Sequence, residues 1–260
     1  MNVYAETRGS EGPPLLLVHG WGGDHRVWRA LDFGERRVIA PDLRGHGRSP
    51  APATRYRPVD LARDLLPLLD EPVLAIGHSM GAQVVTALAV EHPELVSALV
   101  VVAPAYGADE AEERLIPGRL AALRADGAAA ASRQLGPLPP PITGQLLATP
   151  GHVLAECYAG MYTVPGAFGV RRESERYLAR RTCPVLAVHD VPEAARWEAG
   201  LSGHRRSATV LWPEAGHFLH LDRPAAFVDL VASWGDRLKT RDDWQDLSVG
   251  AHGDLDQQDR

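Results

Sequence analysis

The chain has 260 residues, of which 45% are hydrophobic and 23% are charged, proportions typical of one soluble globular domain with room for an inserted subdomain. Six aspartates in residues 242–259 account for the formal net charge of −6, so the neutral remainder lacks the basic surface of a nucleic-acid-binding or membrane-bound protein. Two cysteines are too few for a disulfide framework. Met1–Arg8 has no apolar signal region, and no apolar run is long enough to span a membrane, so we expect a cytoplasmic protein. The expected partner is a small-molecule substrate.

Short apolar runs recur along the chain and predict strands. The first, Val3–Thr7, alternates in polarity enough to predict an antiparallel edge strand. The others are continuously apolar, as strands are when helices cover both faces of a sheet, and they are Leu15–Val18, Val38–Ala40, Val73–Ile76, Ala98–Ala103, Val185–His189 and Ala208–Trp212. Helical patterns lie between several of them, at Val59–Leu69, Gly81–Glu91 and Pro224–Leu238. This alternation predicts an α/β fold with a mostly parallel sheet and helices on both faces.

About 80 residues separate Ala103 from the strand at Val185, which is too long for a loop in a compact domain. Helical patterns within this stretch cover Glu112–Ala125, Ile142–Leu147, Val153–Met161 and Glu173–Arg181. We therefore predict a helical lid over residues 104–182, inserted into a core formed by residues 1–103 and 183–238. Residues 239–260 are acidic and polar, and the prediction for them is a disordered tail.

A Gly-x-Ser-x-Gly pattern at Gly77–Gly81 joins the apolar run Val73–Ile76 directly to an apolar helical pattern. A chain that turns this sharply from strand to helix needs small residues on both sides of the serine. The turn strains the serine backbone and presents its hydroxyl at the carboxyl end of the sheet. The pattern therefore predicts Ser79 as a nucleophile.

A serine hydroxyl needs a base within hydrogen-bond distance to react at neutral pH. Among the eleven histidines, His217 lies on the loop between the last predicted strand and the C-terminal helix. Such a loop reaches the same edge of a parallel sheet as Ser79. His217 is the predicted base, and His220 is a weaker candidate.

Four segments, in this order, resemble the lidded α/β-hydrolase superfamily with a serine nucleophile, and the resemblance covers residues 1–238. The segments are His19–Gly23, Pro41–Ser49, Gly77–Gly81 and Ala215–Phe218. The resemblance implies the α/β-hydrolase fold, the nucleophile and base roles for Ser79 and His217, and an acid between them in the chain. It also implies an oxyanion hole formed by the backbone N–H groups of Trp21 and Met80.

The acid is where this sequence departs from the family pattern of a glycine, two variable residues and an aspartate after the strand. Here Val188 and His189 are followed by Asp190, Val191, Pro192 and Glu193. Counting forward from Pro184 places Glu193 in the position of the acid, whereas counting back from His217 favours Asp190. We prefer Glu193, keep Asp190 as the alternative acid, and retain a third possibility in which neither acts.

These residues predict a serine hydrolase that cleaves an ester, thioester or lactone of a small apolar molecule through an acyl-enzyme, with no cofactor and no metal. One alternative comes from another reaction class, because His19–Trp21, together with Asp24–Val27 and the Arg44–Gly47 turn, is also similar to the cofactor-independent dioxygenases of this fold, which act on heteroaromatic substrates. A third hypothesis is a catalytically silent binding protein on the same scaffold. The sequence does not identify the acyl group or the oligomeric state.

Overall fold

The computed structural model describes residues 1–201 and 203–239, so the predicted disordered tail lies outside the described residues except for Lys239. Within them, one seven-stranded sheet has the order β1-β3-β2-β4-β5-β6-β7. The strands are β1 (Ala5–Arg8), β2 (Glu11–Val18), β3 (Arg36–Pro41), β4 (Val73–His78), β5 (Val96–Val102), β6 (Val185–His189) and β7 (Ala208–Leu211). Strand β1 pairs antiparallel with β3, and all other neighbours are parallel. The predicted fold class is therefore confirmed.

Successive residues of the strands bury their side chains on opposite faces of the sheet. In β2, Leu15 and Leu17 face a core completed by the C-terminal part of the chain, whereas Leu16 and Val18 face a second core. Because both faces are covered, β2 needs no polar alternation, and all four side chains are almost completely buried. In the described part of the chain, five α-helices lie outside the segment between β5 and β6: α1 (Pro58–Leu65), α2 (Met80–Glu91), α8 (Pro192–Leu201), α9 (Leu219–Asp222) and α10 (Pro224–Lys239).

The segment between β5 and β6 is helical throughout most of its length. Its helices are α3 (Glu110–Asp126), α4 (Ala128–Leu135), α5 (Pro140–Ala148), α6 (Gly151–Tyr162) and α7 (Arg171–Leu178). A capping box begins α3, because the Asp109 carboxylate accepts the N–H of Glu112 while the Glu112 carboxylate accepts the N–H of Asp109. The alanine-rich α4 and the helix α8 were not among the predicted elements.

The parallel direction of the strands brings several loops to one edge of the sheet. His19 follows β2, Ser79 follows β4 and Asp190 follows β6, each immediately after the last residue of its strand. The loop that carries His217 follows β7 at the same edge. This edge is where open α/β sheets place their ligand sites. None of the helices in the described residues has the length and apolar character that crossing a membrane requires.

Candidate active site

Ser79 occupies a strained turn between β4 and α2. Its backbone has φ of 53° and ψ of −116°, in a region that residues other than glycine rarely adopt. The turn is fixed because the Ser79 N–H donates to the Val102 carbonyl at 2.9 Å, and the Ser79 carbonyl accepts from the N–H groups of Ala82 and Ala105 at 3.0 and 3.1 Å. The strain is thus maintained by backbone hydrogen bonds to the neighbouring strand and helix.

The two glycines of the Ser79 turn are required by close backbone contacts. A Cβ atom on Gly77 would lie 2.3 Å from the Gly81 carbonyl oxygen, and one on Gly81 would lie 2.2 Å from the Val18 carbonyl oxygen. Moving these oxygens away would disturb the first turn of α2 in one case and the end of β2 in the other. The predicted reason for small residues at these positions therefore agrees with the packing.

The loop His19–Gly23 packs directly against the turn at Ser79. A Cβ atom on Gly20 would lie 3.3 Å from the Ser79 Cβ atom. Trp21, predicted to provide an oxyanion-hole amide, lies in the turn closed by the hydrogen bond from Gly23 N–H to the Gly20 carbonyl at 3.1 Å. The other predicted amide belongs to Met80, the first residue of α2, and the first amides of a helix lack partners within that helix. Both amides therefore belong to segments that adjoin the serine.

Ser79 and His217 open into the same small cavity. Its water-accessible volume is about 30 Å³, enough for about one or two water molecules. The wall is mostly apolar and combines the β2 and β7 loops with the helical segment between β5 and β6: Trp21, Val27, Leu135, Leu138, Ile142, Leu146 and Phe218 line it, together with the amide of Gln145. Two larger clefts, of about 510 and 720 Å³, have no contact with either Ser79 or His217.

The imidazole of His217 lies at the boundary between this cavity and a second cleft. No hydrogen bond joins it to the Ser79 hydroxyl among the described residues; such bonds are often long when no substrate is present and tighten in the complex. Although the side chain keeps solvent-exposed surface, the protein groups around the ring lower the pKa of His217, and the nearby charge of Asp190 partly offsets this effect. A base with a lowered pKa stays neutral, and so able to accept a proton, at neutral pH.

The two candidate acids have different surroundings, although both line the second cleft, which has a volume of about 450 Å³. Asp190 follows β6 directly, and its negative charge acts on His217. Glu193 is the second residue of α8, its side chain is 70% exposed, and it forms an ion pair with Arg196 at 2.8 Å. The geometry therefore favours Asp190 over the preferred sequence candidate. Pro192, which suits a first helical position, is the sequence signal that a helix begins before Glu193.

Two buried histidines join the loop after β2 to the turn after β3. His19 donates from Nδ1 to the Gly20 carbonyl at 2.8 Å and accepts the Leu43 N–H at Nε2. His46 donates from Nδ1 to the Arg44 carbonyl and accepts the Gly22 N–H at Nε2. Burial lowers the pKa of His19 and lowers that of His46 to about 3. Both rings are therefore neutral, and their hydrogen bonds join the loop after β2 to the turn after β3. This gives the Pro41–Ser49 segment a structural role.

One buried group has the residue types of a metal site. The side chains of Asp24, His25 and Asp42 have potential ligand atoms within 4.8 Å of one another. Each is already engaged, because His25 Nδ1–H donates to Asp42 at 2.7 Å and Arg26 Nη2 donates to Asp24 at 2.6 Å. These contacts fit an internal hydrogen-bond network better than a set of metal ligands.

The buried His220 predicts a specific dependence of stability on pH. Its ring packs on Trp28, with 4.6 Å between centroids, neither ring nitrogen has a hydrogen-bond partner among the described residues, and burial lowers the pKa to about 3. The unfolded chain binds a proton at this residue near pH 6.5, so the stability contributed by His220 is present above pH 6.5 and is lost as the pH falls towards 3. Between pH 7.5 and 5 this loss is about 2 kcal/mol.

When the pH falls from 7.5 to 5, we expect the free energy of unfolding of His220→Leu to decrease by about 2 kcal/mol less than that of the wild type. Urea unfolding at pH 7.5, 6 and 5 measures the difference. Identical pH dependence of the two proteins would show that His220 is protonated in the folded state as readily as in the unfolded one.

Comparison with known proteins gives the family. The sequence model of a protein family, described as the alpha/beta hydrolase family, matches residues 15–230 of this chain. The chain belongs to the alpha/beta hydrolase family. This α/β hydrolase is 38% identical over 120 residues to lipase LipV of Mycobacterium tuberculosis, an alignment that covers 44% of this chain and 46% of LipV. Over 107 residues it is 37% identical to the pimeloyl-[acyl-carrier protein] methyl ester esterase of Aeromonas hydrophila, covering 40% of this chain and 42% of that protein.

Solved structures support the same family at the level of the fold. A thermophilic esterase from Thermogutta terrifontis superposes on this α/β hydrolase with a TM-score of 0.77 and 24% identity, over 92% of this chain and 94% of the esterase. The curated relatives are matched over 29% to 52% of their own length, so the chain spans about half of their length at most. The predicted family is therefore confirmed, and the similarity establishes the fold more fully than the activity.

Proposed function

We propose that this α/β hydrolase is a serine hydrolase that cleaves a carboxylic ester, thioester or lactone of a small apolar molecule. The observation that carries the proposal is that Ser79, on a strained turn at the end of β4, shares one mostly apolar cavity with His217. A partly exposed hydroxyl and a neutral base facing the same space are the requirements for nucleophilic attack on a carbonyl carbon. The names of LipV and of the methyl ester esterase agree with this chemistry.

In the proposed reaction, the Ser79 Oγ atom attacks the carbonyl carbon while His217 takes the hydroxyl proton. The oxygen that becomes negative accepts hydrogen bonds from the backbone N–H groups of Met80 and Trp21, each worth about 3 to 4 kcal/mol in the transition state. His217 then gives its proton to the leaving alcohol or thiol, which leaves an acyl-enzyme. Water, deprotonated by His217, attacks the acyl group. As the bond between the acyl carbon and Ser79 Oγ breaks, His217 returns this proton to Oγ, and the carboxylic acid is released. We assign Asp190 to stabilising the imidazolium.

The cavity wall supports an apolar acyl or alcohol group as the bound part of the substrate. Leu138, Ile142 and Leu146 come from the helical segment between β5 and β6, which we propose acts as a lid over the site. A space of about 30 Å³ does not hold an ester substrate, so these side chains must move to admit one. Loop or helix motion of this kind commonly precedes catalysis in lidded enzymes.

Activity on a series of p-nitrophenyl esters from acetate to decanoate, with matched thioesters and lactones, tests the proposal. We expect hydrolysis with a maximum at short or intermediate acyl chains. Oxygen consumption with a hydroxyquinolone and no ester cleavage would instead favour the dioxygenase hypothesis. Binding of esters without turnover would favour the hypothesis of a catalytically silent binding protein.

The side chain of Leu146 is predicted to limit the length of the acyl group. It is 1% exposed and lines the cavity, whereas the neighbouring Leu147 is 59% exposed on the outside of the same helix. Leu146→Ala should raise the ratio of octanoate to butyrate kcat/KM at least about fourfold, the value of one buried methylene. Leu147→Ala, the matched control, should leave the ratio unchanged. Equal ratios in both variants would show that the acyl group does not contact Leu146.

A further inference from the structure

The side chain of His78 connects the turn that carries Ser79 to the loop that carries His217. Its Nε2 atom lies 2.9 Å from the backbone carbonyl oxygen of His217, across 139 residues of sequence. Because a carbonyl oxygen only accepts hydrogen bonds, His78 Nε2 must carry the proton and donate it. The contact therefore fixes one tautomer of a neutral imidazole.

The surroundings of His78 hold its ring in one position. The side chain is 2% exposed, and its ring centroid lies 4.8 Å from that of His217, 4.9 Å from that of Phe218 and 4.7 Å from that of His220. On its other side, a Cβ atom on Gly20 would lie 2.8 Å from His78 Nδ1. The ring thus fills the space between the loops after β2 and β7, and burial keeps the pKa of His78 well below its usual value.

The loop that carries His217 is anchored at its two ends and exposed between them. At its start, Trp212 N–H donates to the His189 carbonyl at 2.8 Å, and Ala215 and Phe218 pack against the core. Pro213, Glu214, Gly216 and His217 are exposed. The hydrogen bonds of Ala215 and Gly216 are local, to the Trp212 carbonyl at 3.1 Å and to the Asp222 carboxylate at 2.8 Å. Among the described residues, the contact from His78 is the long-range hydrogen bond that reaches the backbone of residues 213–217.

We propose that His78 is a positioning residue, whose Nε2–H bond to the His217 carbonyl sets the distance between the base and the nucleophile. The inference rests on the proposed function, since it assigns His217 as the base. His78 immediately precedes Ser79, so the contact ties the base to the residue beside the nucleophile. Displacements of about 1 Å in such a pair can lower rates about 100-fold.

Substitutions of His78 test this role through the division of the effect between kcat and KM. We expect His78→Leu to lower kcat about 10- to 100-fold while KM changes less than about threefold, because leucine keeps apolar the part of the cavity wall that His78 contributes. His78→Gln, whose amide can donate to the same carbonyl, should recover at least about fivefold of the loss. His220→Leu is the control, since it removes a neighbouring buried imidazole that has no hydrogen bond among the described residues, and it should keep kcat within about threefold.

Equal kcat values in His78→Leu and His220→Leu would overturn the inference, as would a His78→Gln variant no better than His78→Leu. If His78→Leu does not fold, His78→Asn replaces it, because the shorter amide cannot reach the carbonyl. The rate of Ser79 labelling by a fluorophosphonate should fall in parallel with kcat.

The wild-type protein provides a second readout that does not depend on activity. Long-range ¹⁵N–¹H correlation spectra should show His78 as the neutral Nε2–H tautomer from pH 5 to 8. A protonated ring or the Nδ1–H tautomer would overturn the inference. An inert protein with the expected tautomer would contradict the proposed function, whereas an active protein indifferent to His78 substitution would contradict the positioning role alone.

Discussion

Replacing Ser79 by alanine is expected to lower kcat/KM for the best ester at least about 10⁴-fold. The variant loses the atom that attacks the carbonyl, and only the oxyanion amides and substrate binding would remain, which together give a small fraction of the acceleration in serine hydrolases. His217→Ala should lose a similar factor, because nucleophile and base act as a unit. The double variant should therefore be little worse than either single one.

A fluorophosphonate that reacts with activated serines gives an independent measurement of this prediction. Mass spectrometry should find one adduct per wild-type chain, on Ser79, and none in Ser79→Ala. The matched control is Ser97→Ala, since Ser97 lies at the start of β5 and its hydroxyl donates to the Val73 carbonyl at 2.9 Å, at the opposite end of the sheet. Ser79→Ala with undiminished ester hydrolysis would rule out the proposed mechanism, and an adduct on another serine would identify a different nucleophile.

The second large effect is expected at the acid, where Asp190→Asn should lower kcat about 10²- to 10⁴-fold. An amide at this position cannot stabilise the imidazolium that His217 forms during attack. Glu193→Gln should change kcat less than about threefold, because the Glu193 carboxylate is exposed and already pairs with Arg196. The two substitutions are equally conservative, so they form a matched pair. The reverse ranking would restore the acid assignment that the sequence favours.

The pH dependence of kcat/KM should separate the same two variants. Partial desolvation by the surrounding protein lowers the pKa of His217 and the charge of Asp190 raises it, and the base must be neutral to act, so wild-type activity should decline on the acid side below pH 6.5. Removing the charge in Asp190→Asn should shift this decline to still lower pH, and Glu193→Gln should not shift it. A shift to higher pH in Asp190→Asn would mean that Asp190 does not act on His217.

The fold and the strained turn at Ser79 were accessible from the sequence because they depend on local patterns. The run Val73–Ile76 followed by Gly77–Gly81 specifies a strand, a tight turn and a helix, and the glycines are required by contacts close to the serine in the chain or in the adjacent strand. Six strands were likewise recognisable as continuous apolar runs, and the antiparallel strand β1 as an alternating one.

The choice between the two candidate acids and the wall of the cavity depend on contacts that a sequence does not show. Counting from Pro184 places Glu193 in the position of the acid, but it does not show that Pro192 begins α8 and that Glu193 pairs with Arg196. The inward side of α5 is set by how the helices between β5 and β6 pack on one another, and so is the difference between Leu146 and Leu147. The bond from His78 to His217 spans 139 residues, and no local pattern predicts it.

The indole of Trp21 donates from Nε1 to the carbonyl of Leu154 in α6 at 3.0 Å, and its ring lies 6.0 Å from that of Tyr158 in the same helix. The residue whose amide is proposed to hold the developing negative charge is thus bonded to α6, a helix of the segment that we propose as the lid. Under that proposal, a movement of the segment that carried α6 with it would displace this amide, and its return would restore the amide to its place. Ligand entry and bond cleavage would then be successive events, and a molecule too bulky to let the helix return would remain bound as an inhibitor.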